Sequence, residues 1–401
     1  MRVAGIVAEY NPFHNGHAYH IEKTKERGSC EATHIVAVMS GSFVQRGEPA
    51  ILTKFDRARA ALAGGVDLVV ELPVPWALSS AEKFAFGAVS ALEALGCVDA
   101  LSFGSECGDL NALEKAVRVM ETPRFSTLLK YFMDSGISFP EAQQKALAEV
   151  GGANCGALLS TPNNTLGIEY LKALRRQSST IQPFTVARYK VAHDSHVPLG
   201  DVASATYLRS LLENDRLVTA FPFMPGACAS ALSDAAAQNR TPALASRLEG
   251  AVFSMLRTFS VEELAALPGI SEGLENRVYQ AVRTASSLTD LEERIKTKRY
   301  PLTRVRRMIW SAYFGIPKTA PFATVPYLRV LAANKKGKEI LAAAKPAVPL
   351  ILRSSQVDKG DDTVKAFWEL ECRATDLHAL AFPKALPCGA DYTTGLIRSE
   401  G

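Results

Sequence analysis

Two histidines near the start of the chain carry the most informative chemistry. His14 and His17 are separated by Gly16 and follow the short apolar run Val3–Val7. Imidazole N–H groups can donate hydrogen bonds to phosphoryl oxygens as negative charge develops in a transition state. Gly16 has no side chain, so a phosphate or a flat base could approach the backbone closely there. The pattern therefore predicts a site for phosphate chemistry.

The elements around the two histidines support the same prediction. A buried parallel strand at residues 3–7 would deliver the loop to one edge of a sheet, and a helix is predicted from about Ala18 to Arg27. The N-terminus of that helix would direct unpaired N–H groups and the positive end of its dipole at the loop. The motif resembles the His-x-Gly-His signature of nucleotidylyl transferases and class I aminoacyl-tRNA synthetases. The alternative is a histidine pair that only caps a helix.

A second group of candidates lies near residue 206. Ser204 is predicted to be the N-cap of a helix that contains Thr206 and Arg209. In the nucleotidylyl transferase pattern, such a turn supplies hydroxyl and guanidinium donors to the phosphates that leave as pyrophosphate. The structural alternative is an ordinary capped helix with a surface arginine.

Other candidates follow predicted strands or precede a predicted helix. Asn163 or Asn164 could donate an amide to phosphate or read the ribose or base, although the same residues favour a turn. Arg188 could clamp a phosphate with two hydrogen bonds, or could pair with a surface carboxylate. Gly104 after Phe103 would allow close approach of a sugar or adenine, or would only form a tight turn.

A long polar loop and the helix after it add positive charge. The loop covers residues 40–48, and Lys54 and Arg57 follow at a spacing that places them on one helix face. They could neutralise a triphosphate or an attacking acid, or could form a solvated helix start. No carboxylate cluster resembles a protein-built metal site, so Mg²⁺ would be carried on the phosphates and water.

Alternating strand and helix patterns in the first half predict an α/β fold. Near-continuous apolar runs separated by helices are typical of βαβ units on a parallel sheet covered on both faces. Right-handed crossovers give a Rossmann-like doubly wound sheet, which binds ligands beyond the carboxyl ends of its strands. The predicted strands are Val3–Val7, His34–Met39, Asp67–Glu71, Ala100–Phe103 and Thr185–Arg188, and the predicted helices are Ala18–Arg27, Lys54–Ala63 and Ser79–Leu95.

Length and sequence pattern predict two domains, because 401 residues are too many for one ordinary core. Residues 1–225 are predicted to form the Rossmann-like nucleotidylyl transferase domain, with a helical insertion at about 109–158. A proline- and glycine-containing stretch at 221–226 ends the strand–helix alternation. Residues 226–401 are predicted to be a mostly α-helical, basic domain.

Composition is typical of a soluble globular protein, with 47% apolar and 21% charged residues and a formal net charge of +4. The seven cysteines are scattered and include no Cys-x-x-Cys pair, which favours a reducing, cytoplasmic environment. The sequence begins with a strand rather than a secretory leader. No apolar run reaches the ~18 residues of a membrane span, so no membrane association is expected.

A basic segment in the second half is the best candidate for binding a polyanion. Residues 294–307 contain seven basic side chains and no acidic one, whereas a solvated helix face normally mixes signs. Tyr300 and Trp310 could stack on bases or belong to the core. Residues 267–274 resemble a helix-hairpin-helix turn, or form an ordinary connection between helices. The residues predicted to contact RNA are Arg299, Arg304, Arg306 and Arg307.

Several stretches together resemble one family, the bacterial tRNA(Met) cytidine acetate ligases. The resemblance covers nearly the whole chain, and the ordered set is more specific than His-x-Gly-His alone. It is carried by Ala8–His17 (AEYNPFHNGH), Met39–Pro49 (MSGSFVQRGEP), Phe103–Glu106 (FGSE), Pro162–Tyr170 (PNNTLGIEY), and Arg299 and Tyr300 with Arg304.

This resemblance implies ATP-dependent N4-acetylation of the wobble cytidine of elongator tRNA(Met), with free acetate activated as acetyl-adenylate. The segment at 204–206 reads Ser-Ala-Thr and departs from the Ser-Ser-Thr form common in nucleotidylyl transferases. The expected ATP contacts are Val7, Asn11, Phe13, Gly16, His20, Gly104, Asn163 (or Asn164), Arg188, Ser204 and Thr206. The expected catalytic residues are His14, His17, Lys54 and Arg209.

Two other functions are compatible with the residue patterns. A small-molecule adenylyltransferase would use the same phosphate site but would not need a basic second half. A non-catalytic nucleotide-sensing or RNA-binding protein would bind ATP without releasing pyrophosphate. The sequence identifies neither the carboxylic acid, nor a general base for acetyl transfer, nor the oligomeric state.

Overall fold

A computed structural model describes residues 1–188, 197–271, 273–318 and 324–399. Its strands, in chain order, are β1 (Val3–Ala8), β2 (His34–Ser40), β3 (Phe43–Val44), β4 (Glu48–Pro49), β5 (Leu68–Leu72), β6 (Ala100–Ser105), β7 (Gln182–Ala187), β8 (Leu328–Ala333), β9 (Leu350–Ile351) and β10 (Ile397–Arg398). The central sheet has the order β10-β8-β5-β2-β1-β6-β7, with β9 paired to β8. Strands β3 and β4 form a separate antiparallel hairpin.

Helices cover both faces of this sheet and build a further layer after it. They are α1 (Asn15–Lys25), α2 (Lys54–Ala63), α3 (Val74–Ala77), α4 (Ala81–Leu95), α5 (Leu110–Met120), α6 (Pro123–Asp134), α7 (Phe139–Gly151), α8 (Ala153–Ala157), α9 (Pro162–Arg176), α10 (Ala205–Glu213), α11 (Leu217–Ala220), α12 (Gly226–Ala237), α13 (Glu249–Leu256), α14 (Val261–Ala265), α15 (Leu274–Thr284), α16 (Leu288–Ile295), α17 (Leu302–Phe314), α18 (Lys335–Ala343), α19 (Asp362–His378) and α20 (Ala390–Thr393).

The parallel part of the sheet confirms the predicted Rossmann-like fold. Strands β5, β2, β1, β6 and β7 run parallel to one another. Every residue of β2 is buried, as expected for a strand with helices on both faces. Helix α4 approaches β1 so closely that a Cβ on Gly5 would lie 2.5 Å from the side chain of Leu92. The carboxyl ends of these strands therefore share one edge.

Helices α5 to α8 occupy the position predicted for the helical insertion. They lie between β6 and α9, and α5 and α9 pack against each other. Leu113, Val117 and Leu147 belong to the same apolar core as Leu92 on α4. The insertion therefore extends the core on one face of the sheet and does not interrupt the parallel strands.

The last part of the chain corrects the predicted division at residue 225. Helices α12 to α17 follow that point, as expected, but β8 then pairs antiparallel with β5 inside the central sheet. All residues of β8 are buried. An antiparallel strand added at the edge of a parallel sheet needs no βαβ unit, so no strand–helix alternation marked it in the sequence. Residues 226–401 are therefore not a purely helical unit separate from the sheet.

Helix α19 covers one half of the carboxyl edge of the sheet. Glu371 Oε2 accepts a hydrogen bond from Val74 N after β5, at 2.7 Å, and His378 Nε2 lies 2.7 Å from Ala50 O after the hairpin. The loops after β2 and β5 are buried beneath it. The ends of β1, β6 and β7 stay open, which leaves this half of the edge for a ligand.

Candidate active site

A cavity of about 750 Å³ opens at the carboxyl ends of β1, β6 and β7. Small-molecule sites typically have volumes of ~300–1,000 Å³. Its walls come from the loop after β1, the first turns of α1, α9 and α10, and the β3–β4 hairpin. The predicted residues that line it are Val7, Asn11, His14, Gly16, His17, His20, Gly104, Asn163, Arg188, Ser204, Thr206 and Arg209.

His14 and His17 stack face to face at the N-terminus of α1. Their ring centroids are 3.7 Å apart and their planes differ by 21°. Gly16 N donates to His14 Nδ1 at 3.0 Å, and His14 N donates to His17 Nδ1 at 3.2 Å. Because both Nδ1 atoms accept, each neutral ring carries its proton on Nε2. The pair therefore caps the helix and also lines the cavity, and its binding of phosphate stays a prediction.

The surroundings hold two of the histidines in the neutral form. Burial lowers the pKa of His17 well below its usual value, and His14, Arg188 and His20 lower it further. Burial and then Arg188 lower the pKa of His20 to about 4. Burial has this effect because a charged imidazolium loses its hydration. Near neutral pH, His17 and His20 therefore act as uncharged hydrogen-bonding groups.

The hydrogen bonds of His20 define its tautomer. Thr24 Oγ1 donates its single proton to His20 O at 2.8 Å. Ser102 Oγ lies 2.7 Å from Thr24 Oγ1 and must donate to it, so Ser102 accepts from His20 Nε2 at 2.9 Å. The neutral ring of His20 is therefore protonated on Nε2 with Nδ1 as an acceptor, the same tautomer as in His14 and His17.

Arg209 and Thr206 form a polar wall at the start of α10. Arg209 is almost fully buried, and it donates from Nη1 to Asn11 O at 3.1 Å and from Nη2 to Thr206 Oγ1 at 3.2 Å. Ser204 Oγ accepts from Tyr207 N at 3.0 Å, which confirms the predicted N-cap. The hydroxyl and the guanidinium therefore face the cavity from one helix turn.

Asn11 holds the loop after β1 in place. Its Oδ1 accepts from Ile51 N at 2.7 Å, while its buried Nδ2 has no hydrogen-bond partner among the residues that the structure describes. The preceding residue, Tyr10, has a φ of 45° in the left-handed region, which costs of order 1–3 kcal/mol for a residue with a side chain. An unsatisfied buried donor and a strained backbone at a cavity are typical of a binding site.

The two amides at the start of α9 have different positions. Asn163 lines the cavity and donates from Nδ2 to Glu106 Oε1 at 2.7 Å. Asn164 is buried, and its Oδ1 accepts from Cys107 N at 3.1 Å. Burial tends to raise the pKa of Glu106, but its hydrogen bonds from Asn163 and Asn164 lower the pKa overall. Of the two candidates, only Asn163 is placed to meet a ligand.

Gly104 and Arg188 form the wall at the ends of β6 and β7. A Cβ on Gly104 would lie 3.6 Å from Arg188 Cγ, an ordinary contact distance. The protein itself therefore tolerates a side chain at residue 104, and the free space beside it belongs to the cavity. Arg188 is exposed, and its backbone N donates to Ser105 O at 3.0 Å.

An apolar wall was not predicted from the sequence. Phe84, Phe103, Tyr170 and Leu166 line the cavity on the side of β6 and α9. The ring centroids of Phe103 and Tyr170 are 5.7 Å apart. A flat apolar surface next to Gly104 is suited to a nucleobase. These residues have the spacing of ordinary core positions, so no pattern in the sequence distinguishes them.

Glu9 and Arg46 were also missed. Glu9 is the single acid among the described residues that line the cavity, and its Oε1 accepts from Gln45 N at 2.9 Å. Burial raises the pKa of Glu9, although Gln45 N and the guanidinium groups of Arg209, Arg46 and Arg57 act in the opposite direction. The position of Glu9 in the sequence could have identified it, because Glu9 directly follows the first strand at the predicted binding edge.

Phe13 and Lys54 do not line the cavity, contrary to the prediction. Phe13 is buried against α2, where a side chain on Gly64 would collide with its ring. Lys54 is fully buried, with Nζ 2.7 Å from Glu71 Oε1 and 2.8 Å from Asp391 Oδ1. The spacing of Lys54 and Arg57 places both on one face of α2, as predicted. That face is directed into the protein, and there Lys54 meets Asp391 from the C-terminal part of the chain.

Lys54 belongs to a buried charge cluster with Arg329, Glu71, Glu371 and Asp391. Burial and then Glu71 raise the pKa of Glu371 well above its usual value, while Lys54 acts in the opposite direction. Burial alone would lower the pKa of Lys54, but Asp391 and Glu71 raise it. Two cationic side chains therefore face three carboxyl groups. The cluster joins α2 and β5 to β8, α19 and α20, and its role is structural.

Arg57 also points inward instead of toward a ligand. Its Nη1 donates to Glu9 O at 2.6 Å, and its Nη2 donates to Gly41 O. Burial lowers its pKa to about 10. Of the cations in and after the polar loop, Arg46 is the one that reaches the cavity.

Part of the basic segment is engaged within the protein. Arg306 pairs with Glu48 and with Glu292, the latter at 2.9 Å. Arg307 Nη1 donates to Gln45 O at 3.1 Å, and burial, followed by Arg304, lowers its pKa to about 10. These two arginines connect α17 to the β3–β4 hairpin. Both arginines have this structural role, and their contact with RNA stays a prediction.

At the other end of the segment, Arg304 is half-buried and donates from Nη2 to Gly269 O at 3.0 Å. Arg299 is exposed, and the guanidinium of Arg304 lies 4.7 Å from the centre of the Tyr300 ring. Tyr300 and Trp310 are both buried, and Trp310 Nε1 donates to Gly47 O at 2.8 Å. The two aromatics therefore belong to the core. Arg299 and Arg304 stay predicted RNA contacts.

Three further predictions concern a metal site, a membrane span and the turn at residues 267–274. Within residues 1–188, 197–271, 273–318 and 324–399, no group of His, Cys, Asp or Glu side chains is arranged to hold a metal ion. No helix in these ranges is long and apolar enough to cross a membrane. The turn at 267–274 joins α14 to α15, and Glu272 within it lies outside the described residues.

A parallel α/β sheet with a His-x-Gly-His pair at the carboxyl edge of its first strand defines a nucleotidyl transferase. In agreement, residues 1–390 match the family model described as HIGH Nucleotidyl Transferase. The chain is 38% identical to the tRNA(Met) cytidine acetate ligase of Acetivibrio thermocellus, over 99% of this chain and 100% of that protein. It is 40% identical to the ligase of the same name from Alkaliphilus metalliredigens, over 95% and 94%. The chain belongs to the tRNA(Met) cytidine acetate ligase family.

Solved structures agree with this assignment. The chain superimposes on Thermotoga maritima TmcAL bound with alpha-thio ATP with a TM-score of 0.90, at 31% identity and full coverage of both chains. The TM-score to the apo form of the same protein is 0.93, also at 31% identity. The similarity extends over the sheet, the insertion and the C-terminal part together.

Proposed function

We propose that this enzyme activates acetate with ATP and transfers the acetyl group to N4 of the wobble cytidine of elongator tRNA(Met). The observation that carries the proposal is the cavity: it combines stacked His14 and His17, the guanidinium groups of Arg188 and Arg209, and an opening beside the basic helix α17. Thr303 of α17 lines the cavity, which connects the nucleotide site with the predicted RNA surface. The names of the relatives support the same reaction.

The chemistry of the cavity walls supports one orientation of bound ATP. The adenine lies against the apolar side of the cavity near Gly104, and Asn163 contributes an amide there. His14 and His17 donate to the α-phosphate from Nε2. Arg188 and Arg209 bind the outer phosphates, where a guanidinium can make two parallel hydrogen bonds.

The first step forms acetyl-adenylate. An acetate oxygen attacks the α-phosphorus of ATP, the bond to the bridging oxygen breaks, and pyrophosphate leaves. Both reactants are anions, so the donors around the α-phosphate must offset their repulsion while they are held together. His14 and His17 are donors held in place by their Nδ1 hydrogen bonds, and their hydrogen bonds strengthen as charge develops on the phosphoryl oxygens.

The donor set is compatible with Mg²⁺ carried on the nucleotide. Magnesium usually keeps several waters and binds through substrate phosphates and one or two carboxylates. When bound, it would neutralise charge on the leaving pyrophosphate. Thr206 could offer its hydroxyl oxygen to the ion, whereas the Arg209 guanidinium has only N–H donors and would bind the phosphates.

The second step transfers the acetyl group. The cytidine N4 lone pair attacks the acetyl carbonyl and AMP leaves. The base must be unstacked from the anticodon loop to reach the cavity, as proteins commonly do with single-stranded RNA. Arg299 and Arg304 contact the RNA backbone outside the cavity. We place the enzyme in the cytoplasm, which its free cysteines support.

The proposal is tested by incubating the enzyme with ATP, isotopically labelled acetate and tRNA, followed by mass spectrometry of the nucleosides. The expected result is label in N4-acetylcytidine from elongator tRNA(Met). A small-molecule adenylyltransferase would leave the tRNA unlabelled and would not retain tRNA in a salt-sensitive filter-binding assay. A non-catalytic binder would bind ATP without releasing pyrophosphate.

A further inference from the structure

Glu9 is the one carboxylate that the described part of the chain contributes to the cavity wall. It directly follows β1, and its Oε1 accepts from Gln45 N at 2.9 Å. Arg46 and Arg209 line the same part of the cavity. A negative side chain here repels the anionic substrates of the first step, so binding of ATP and acetate does not explain its presence.

Glu9 lies on the side of the cavity that faces α17. Gln45 donates to Glu9 through its backbone N and accepts from Arg307 Nη1 through its backbone O, at 3.1 Å. Thr303, which lies about one turn before Arg307 on α17, also lines the cavity. The carboxylate is therefore placed between the phosphate-binding histidines and the helix from which a nucleobase would enter.

We propose that Glu9 is the general base of the acetyl-transfer step, and this inference rests on the proposed function. As N4 of cytidine bonds to the acetyl carbon, the bond from that carbon to the phosphate oxygen breaks and AMP leaves with the electron pair. The amine must lose one proton, which Glu9 accepts through Oε2 or Oε1 and later releases to water. The cytidine amine is a weak nucleophile because its lone pair is delocalised, so removal of this proton is required for a stable product.

The surroundings of Glu9 are compatible with this role. The charged and titratable groups that face it are Arg46 on the hairpin, Arg57 on α2, Arg209 on α10 and Tyr170 on α9. Burial raises the pKa of Glu9, which makes it a stronger base than a solvent-exposed carboxylate, while the three arginines limit the rise. A general base works best when its pKa lies near the working pH.

The test separates the two steps in a Glu9→Gln variant. Glutamine keeps an oxygen that can accept from Gln45 N but cannot take up a proton. Acetate-dependent exchange of labelled pyrophosphate into ATP measures the first step without tRNA. Single-turnover transfer from preformed acetyl-adenylate to tRNA measures the second. We expect exchange within a few-fold of the parent enzyme and a transfer rate lower by ~10²–10⁴-fold.

Glu213→Gln is the matched control. Glu213 is an exposed acid on α10 whose charge also interacts with Arg209, but it does not line the cavity. We expect both steps to be unchanged in this variant. Equal loss of exchange and transfer in Glu9→Gln would overturn the proposal, because it would place Glu9 in phosphate or Mg²⁺ binding. Unchanged transfer would overturn it as well. A parent enzyme without any transfer would instead refute the proposed function.

Discussion

Lys54 on α2 and Asp391 on α20 form a fully buried ion pair with 2.8 Å between Nζ and Oδ1. The pair joins the first half of the chain to its last helix, and Glu71 and Arg329 complete the charge balance around it. A cation that helix spacing assigned to phosphate binding thus stabilises the fold. This has a direct consequence for mutagenesis.

Lys54→Met is expected to lower the free energy of unfolding by about 3–5 kcal/mol, because it leaves buried carboxylates without their cation. Urea denaturation measures the change. Lys23→Met is the control, since Lys23 lies at the surface, where it pairs with Glu26 and lies over the Tyr19 ring, and its loss should change stability by less than about 1 kcal/mol. A Lys54→Met protein of unaltered stability that cannot form acetyl-adenylate would restore a catalytic role for Lys54.

His14→Ala and His17→Ala are each expected to reduce acetate-dependent pyrophosphate exchange by ~10²–10³-fold, the usual cost of losing one transition-state donor. Retention of tRNA on filters should stay near the parent level, because the predicted RNA contacts lie on another surface. His34→Gln is a suitable control, since His34 pairs with Glu339 at the opposite end of β2. Parallel loss of exchange and tRNA retention would show that the pair only maintains the fold.

Two glycines at the cavity should respond differently to alanine. In Gly16→Ala the new Cβ would lie 2.9 Å from His14 Cε1, so the ring must shift and pyrophosphate exchange should fall. In Gly104→Ala the Cβ has ordinary contacts within the protein, so stability should be kept while the KM for ATP rises. Gly250→Ala on α13, with open space around it, serves as the control. An unchanged KM for ATP in Gly104→Ala would show that the nucleotide does not bind against that wall.

Acid should destabilise the protein through His378. Burial lowers the pKa of His378 to about 3, from an ordinary value of 6.5. Between these values the unfolded chain binds a proton that the folded chain does not, so stability is complete above pH 6.5 and is lost as the pH falls toward 3. The loss from this group should be on the order of 2 kcal/mol at pH 5.

The measurement for His378 is the free energy of unfolding at pH 7 and at pH 5, in the parent and in His378→Gln. Glutamine can still donate to Ala50 O but does not titrate. The difference between the two pH values should therefore be smaller in the variant. An identical difference in both proteins would contradict the assignment of acid sensitivity to His378.

Arg299→Ala should weaken tRNA binding and reduce the slope of log affinity against log salt concentration by about 1, as expected for the loss of one phosphate contact. Pyrophosphate exchange in the absence of tRNA should not change. Arg176→Ala on α9 is the control, because Arg176 is exposed but pairs with Glu82 away from the basic segment. An unchanged slope of log affinity against log salt concentration would show that Arg299 does not contact the RNA backbone.

Much of the site could be predicted because the local sequence determines each strand and helix, and the parallel direction of the strands brings their carboxyl ends to one edge of the sheet. The apolar run of β1 requires a buried strand, and Gly16 with its flanking histidines requires a sharp entry into α1. In parallel sheets the carboxyl ends of the strands meet at one edge, so His14 and Gly104 could be assigned to one site, while Arg209 was assigned from its resemblance to the nucleotidylyl transferase pattern. The predictions failed where a position depends on a distant partner.

Sequence alone determined the parallel strands, the histidine pair and the N-cap at Ser204, because backbone hydrogen bonding and apolar periodicity are local properties. Only the tertiary structure decided that Lys54 belongs to a buried cluster, that Arg306 and Arg307 connect α17 to the hairpin, and that Glu9 faces the cavity. Local patterns show which side of an element is buried. The partner that a charge meets there depends on segments far away in the chain, because burial makes an unpaired charge too costly to leave alone.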